Sequence, residues 1–144
     1  MIKYYITGTL LLVLVVLCGC SGEPPKAKVV PVSGTVTLGS KPLEGVQVFM
    51  TPVETDGKSV PVSASGKTDS AGKFQLKTSG TSPRTGAMPG ANSVFISFEH
   101  LLSEETSEEE VKAMNLPTLP PEWSDGSLIF DVPPTGTDQA NFEK

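Results

Sequence analysis

Few residues of this chain could carry chemistry. The sequence has two cysteines, Cys18 and Cys20, and a single histidine, His100. A hydrolytic zinc site takes a cluster of histidine and acidic ligands, which one histidine cannot supply. We expect His100, which follows the strand ending at Phe98, to lie at the rim of the fold rather than to act as a base or a ligand. The sequence therefore predicts no catalytic residue, no metal site and no cofactor.

Trp123 is the only tryptophan of the chain. Its ring is large and apolar but carries one polar group, so it could stack on a sugar or anchor a protein partner. It could equally plug the open end of a β-fold. Trp123 and His100 are the candidate binding residues, and both interpretations of Trp123 remain open from the sequence.

The elements that surround these residues begin with an apolar run at the N-terminus. Lys3 precedes an apolar stretch from Ile6 to Leu17, which closes on small residues around Gly19. This layout is typical of a secretory signal peptide. The stretch is shorter than the about 20 apolar residues that span a bilayer, and no second run of that size follows. The sequence thus predicts export and excludes a protein with several membrane spans.

The end of the apolar run, Leu17-Cys18-Gly19-Cys20, resembles the lipobox of bacterial lipoproteins. The resemblance implies cleavage between Gly19 and Cys20 and attachment of fatty acyl chains such as palmitate to Cys20. The protein would then be lipid-anchored on the exported side of the cell membrane or the outer membrane. Ser21, in place of an aspartate, favours the outer membrane in a host that has one. Secretion after cleavage near Gly19 and an uncleaved N-terminal anchor are the alternatives.

The composition limits the partners of the mature protein. The chain has 144 residues and a formal net charge of -5, and removal of Lys3 with the signal makes the balance more acidic still. An acidic balance argues against nucleic-acid binding and against docking on anionic lipid by net charge. The expected organisation is a signal peptide at 1–19, a lipidated N-terminus and linker at 20–28, and one domain at 29–144.

Alternation of apolar and polar residues predicts about seven short strands in that domain. Asp69-Ser70-Ala71-Gly72 predicts a tight turn between two of them, and no helical pattern separates the strands. The predicted fold is all-β, a single seven-stranded antiparallel β-sandwich. The predicted inward positions are Val30, Val32, Val36, Leu38, Val46, Val48, Met50, Val60, Val62, Ala64, Phe74, Leu76, Val94, Ile96, Phe98, Leu128, Phe130, Val132, Ala140 and Phe142.

One acidic segment, residues 103–115, lacks glycine and proline. Ser107 and Glu110 have the spacing of a capping box, and acidic residues in a first turn suit the helix dipole. We therefore expect a short surface helix within 107–115. A solvated acidic loop is the alternative.

Several turn and core motifs resemble carboxypeptidase regulatory-like domains, which are transthyretin-like (prealbumin-like) sandwiches. These motifs are Val32-Ser33-Gly34-Thr35-Val36-Thr37-Leu38, Lys41-Pro42-Leu43-Glu44-Gly45-Val46, Thr68-Asp69 with Gly72 and Phe74, Gly86 with Pro89-Gly90, and Leu119-Pro120 to Trp123. The resemblance implies the sandwich fold but no activity, because turn and core residues report fold rather than function.

The sequence therefore favours a non-enzymatic envelope lipoprotein. Its β-sandwich would be a structural or protein-interaction module, attached to the membrane through Cys20 and without nucleic-acid partners. Partners would be other envelope proteins. The alternative is a lipoprotein that binds carbohydrate or peptidoglycan of the cell wall through Trp123 and nearby loops.

Overall fold

The computed structural model describes residues 26–53, 57, 59–98 and 107–144. These residues form two sheets and little helix. The helix is α1 (Glu108–Ala113), and a 3-10 turn spans Pro121–Trp123. The strands are β1 (Ser33–Leu38), β2 (Lys41–Pro42), β3 (Gln47–Pro52), β4 (Ala64–Lys67), β5 (Lys73–Gln75), β6 (Lys77–Thr78), β7 (Gly90–Ser97), β8 (Ile129–Val132) and β9 (Phe142–Glu143).

The first sheet is built around β1, which pairs antiparallel with β2 and β5 and parallel with β9. The turn from β1 to β2 places two consecutive residues in the left-handed region, Gly39 at φ +58° and Ser40 at φ +62°. Two such residues give the twist of a tight two-residue hairpin. This turn allows β2 to return directly along β1.

The second sheet has five antiparallel strands in the order β6-β4-β3-β7-β8. The long strands β3 and β7 lie at its centre and pair over six residues, from Gln47 with Ser97 to Pro52 with Asn92. The strands β6 and β8 form its two edges. This order separates the β6 edge from the β8 edge by the full width of the sheet.

Apolar side chains from both sheets form one core. Val36 and Phe74 come from the first sheet, and Val48, Met50 and Ile96 come from the second. Along β3 the exposure alternates, because successive side chains of a strand point to opposite faces. The predicted all-β sandwich class is confirmed, and the inward positions Val32, Val46, Val94 and Ala140 are fully or almost fully buried.

The strand count and pairing differ from the prediction. The described residues contain nine strands rather than seven, because β2 and β6 have only two residues each. A period of two cannot be recognised in two residues. The strand expected to begin near Val60 begins at Ala64. The last strand, β9, runs parallel to β1, so the sandwich is not purely antiparallel.

The predicted surface helix is present as α1. The Ser107 hydroxyl accepts a hydrogen bond from the Glu110 backbone N–H, and the Glu110 carboxylate accepts one from the Ser107 N–H. This reciprocal capping box starts the helix, and Asn115 at φ +46° follows its C-cap, Met114. No residue of α1 is buried, so the caps rather than core packing define its ends.

Candidate functional site

The expected lipidation site lies outside the described residues. Cys20, the cleavage bond between Gly19 and Cys20, and His100 all fall in this category. The described residues that follow Cys20 most closely in the chain are 26–30. Among the described residues, no helix has the length and the apolar character needed to cross a membrane.

Ala27 is the first buried residue in the part of the chain that the structure describes. The Arg84 guanidinium donates a hydrogen bond of 2.7 Å to the Ala27 carbonyl oxygen. Three residues later, Val30 exchanges two backbone hydrogen bonds with Ala87, at 2.9 and 3.0 Å. Lys28 is exposed between these two contacts. We call residues 26–30 with Arg84 and Ala87 the entry segment; its contacts fix the position of residues 26–30 on the domain.

Gly86 makes the close approach of the entry segment possible. It adopts φ +114°, and a Cβ at this position would lie only 1.8 Å from the Val30 carbonyl oxygen. A side chain there would also be strained by the backbone conformation itself. The glycine therefore allows residues 84–87 to lie directly against Val30.

The structure places Trp123 in the core, with 1% of its surface exposed. It closes the 3-10 turn that follows Pro120, and this turn packs against β7. The ring therefore presents no face to a sugar in this structure. Trp123 is a core residue, and its ring does not form the stacking platform expected under the carbohydrate alternative.

Asp69 caps the turn that the sequence predicts. Its Oδ1 atom accepts hydrogen bonds from the backbone N–H groups of Ala71 and Lys73, both at 2.9 Å. Gly72 follows at φ +70°, a conformation that glycine adopts without a steric penalty. The Asp69 carboxylate thus stabilises its own turn by accepting hydrogen bonds from backbone N–H groups.

The acidic residues of α1 lie on an exposed helix. Hydrogen bonds from the backbone and side chain of Ser107 lower the pKa of Glu110. In the part of the chain that the structure describes, no group of three or more His, Cys, Asp or Glu side chains could hold a metal ion.

The outer face of the five-stranded sheet carries an aromatic pair that is not among the candidate residues predicted from the sequence. Phe49 and Phe95 are direct cross-strand partners, with ring centroids 6.2 Å apart. Phe49 is 37% exposed and Ile129 is 52% exposed. Ser65 and Ser93 neighbour the pair on the same face. The signal in the sequence is the alternation of β3, in which Phe49 takes an outward position between Val48 and Met50.

We call Phe49, Phe95 and Ile129, with Ser65 and Ser93, the outer-face patch. Aromatic residues are enriched in contact surfaces between proteins, and neighbouring exposed apolar side chains can mark such a surface. Two phenylalanines held by pairing of long strands lose little conformational freedom on contact with a partner. The patch is therefore the candidate interaction surface of the domain.

No family model, curated protein or solved structure matches this chain.

Proposed function

We propose that this protein is an exported lipoprotein whose β-sandwich is a non-catalytic interaction module. Acyl chains on Cys20 would hold it on the exported side of the cell membrane or the outer membrane. The observation that carries the proposal is that Ala27, only seven residues after Cys20 in the sequence, is already buried in the domain. This is the arrangement that an anchored domain with a short linker requires.

The lipid would supply the attachment without help from the domain. Each buried methylene of an acyl chain contributes roughly 0.8 kcal/mol, and two or more chains make attachment stable, whereas a single chain gives only reversible binding. The sandwich is then free to use its exposed surface for contacts with other proteins. We assign that role to the outer-face patch.

We further propose that the sandwich is of the carboxypeptidase regulatory-like, transthyretin-like kind. The proposal is supported by the positions of the motif residues, which form a turn, a core contact and a close backbone approach. Asp69 and Gly72 form the turn before Phe74, and Phe74 is buried. Gly86 allows the close contact with Val30.

Carbohydrate binding through Trp123 is not proposed, because the burial of the ring removes the contact on which that alternative depended.

The anchor is tested by replacing Cys20 with Ala and fractionating the cells. We expect the Cys20→Ala variant to lose its acyl chains by intact-mass measurement, because residue 20 would have no thiol to accept them. The matched control is Cys18→Ala, which removes the other cysteine and should remain acylated and in the membrane fraction. A Cys20→Ala protein with unchanged mass of attached lipid would contradict the proposal.

The interaction role is tested by placing a photo-cross-linking amino acid at Phe49 in intact cells. We expect a discrete cross-linked partner that is lost when Phe95→Asp is added, because an aspartate would place a charge in the contact. The control position is Met114, which is 42% exposed but lies outside the outer-face patch. Identical cross-links from both positions would show that the patch has no special role.

A further inference from the structure

Basic residues predominate in the first part of the described domain, and acidic residues predominate in the second part. Described residues 26–98 contain only two acids, Glu44 and Asp69, whereas their basic residues are Lys26, Lys28, Lys41, Lys67, Lys73, Lys77 and Arg84. Residues 107–144 contain only two basic residues, Lys112 and Lys144, whereas their acids are Glu108, Glu109, Glu110, Glu122, Asp125, Asp131, Asp138 and Glu143. The acidic net charge of the whole chain conceals this asymmetry.

The strand order places some of these basic residues at one edge of the five-stranded sheet and an acidic residue at the opposite edge. Lys77 lies on the edge strand β6, and Lys67 lies on its neighbour β4. Arg84 joins the same edge, because its carbonyl oxygen accepts a hydrogen bond of 2.8 Å from the Thr78 N–H. Asp131 lies on β8, which forms the opposite edge of the five-stranded sheet. The β6 edge is therefore basic.

The entry segment joins the domain at this basic edge. The Arg84 carbonyl oxygen accepts a hydrogen bond from the Thr78 N–H of β6. The Arg84 guanidinium donates a hydrogen bond to the Ala27 carbonyl oxygen. Lys28, Lys77 and Arg84 are all exposed. The linker therefore meets the domain beside a group of cations, which we call the basic edge: Lys28, Lys77 and Arg84.

The length of chain before the entry segment keeps this edge near the anchor. A fully extended chain reaches at most 3.3–3.6 Å per residue, which is about 25 Å from Cys20 to Ala27. Phospholipid surfaces with anionic headgroups attract basic residues that lie within about a Debye length, about 8 Å at physiological ionic strength. The tether thus permits the basic edge to contact the membrane surface while the β8 edge points elsewhere.

We propose that the basic edge contacts anionic phospholipid headgroups and thereby orients the domain on the membrane. This inference rests on the proposed acylation of Cys20, which brings the domain to the bilayer. The complementarity is between the phosphate groups of the lipid and the side chains of Lys28, Lys77 and Arg84. The orientation leaves the β8 edge, with Asp131, away from the negative surface.

The test uses the acylated protein added to preformed vesicles of phosphatidylcholine alone or with about one third phosphatidylglycerol. Exposed lysines are acetylated with a water-soluble reagent and quantified residue by residue by mass spectrometry. We expect acetylation of Lys28 and Lys77 to fall roughly fivefold in the anionic vesicles, the factor that one basic residue contributes at such a surface. Lys41 and Lys112 are controls within the same molecule and should react equally in both vesicles.

Salt and a pair of matched variants sharpen the test. High salt should restore the acetylation of Lys28, because it shortens the Debye length. Lys77→Glu should weaken the protection of Lys28, whereas Lys112→Glu, with the same change in charge, should leave it unchanged. Equal acetylation in both vesicles, or an equal fall at all four lysines, would overturn the proposal. Failure of the anchor would look different, because the protein would then not float with either kind of vesicle.

Discussion

Gly86 is the residue on which the docking of the entry segment depends. Its positive φ and the absence of a side chain both serve the contact between residues 84–87 and Val30. Arg84 completes the contact through the Ala27 carbonyl oxygen. The position of residues 26–30 on the domain is thus fixed by one glycine and one arginine.

Gly86→Ala should therefore destabilise the domain by about 3 kcal/mol, since it combines backbone strain with an overlap against the Val30 carbonyl oxygen. The measurement is the free energy of unfolding in urea. Gly80→Ala is the matched control: Gly80 has φ +113°, but a Cβ there would meet nothing within 4 Å. Equal losses for both variants would show that only the backbone conformation matters and that the close contact does not.

At the scale of the element, α1 shows how far local sequence can define structure. The helix has no buried residue, yet its start is fixed by Ser107 and Glu110. The same hydrogen bonds lower the pKa of Glu110. A carboxylate that is stabilised in the folded state links helix formation to pH.

We expect the capping contribution of Glu110 to be fully present above its ordinary pKa of 4.5 and to be lost as the pH falls through its lower folded value. Titration of Glu110 by NMR should show the lowered pKa in the native protein. In Ser107→Ala the pKa should return part of the way to the ordinary value, because the side-chain hydrogen bond is lost while the backbone N–H of residue 107 remains. Ser107→Thr should preserve the shift because threonine also caps. A Glu110 pKa that is the same in all three proteins would contradict the assignment of the cap.

At the scale of the whole molecule, the C-terminal segment joins the two sheets. Phe142 of β9 packs against Phe74 of the first sheet and against Phe130 of the second, with ring centroids 6.0 and 5.9 Å apart. Lys144 forms an ion pair of 2.7 Å with Glu122, close to the 3-10 turn that buries Trp123. Closure of the sandwich therefore depends on the last residues of the chain.

Phe142→Ala should cost about 3–5 kcal/mol in the free energy of unfolding, because it opens a cavity between the sheets. Phe49→Ala removes the same side chain from an exposed cross-strand pair and should cost about 1 kcal/mol or less. Thermal and urea unfolding of both variants provide the comparison. Losses of similar size would show that Phe142 does not join the sheets as its contacts indicate.

The sequence by itself determined the features that arise from neighbouring residues. The alternation in β3 and β7, the Asp69 to Gly72 turn and the capping box of α1 are all present in the structure as expected. Each depends on contacts within a few residues, so the residue types carry the information. The all-β class followed from the same local patterns.

Only the tertiary structure decided the features that join distant parts of the chain. These are the parallel pairing of β9 with β1, the burial of Trp123, and the contact of Arg84 with Ala27. The partners in such contacts are separated by long stretches of sequence, and the choice among alternatives depends on how the two sheets pack. For this reason the basic edge and the outer-face patch could be recognised only once the strand order was known.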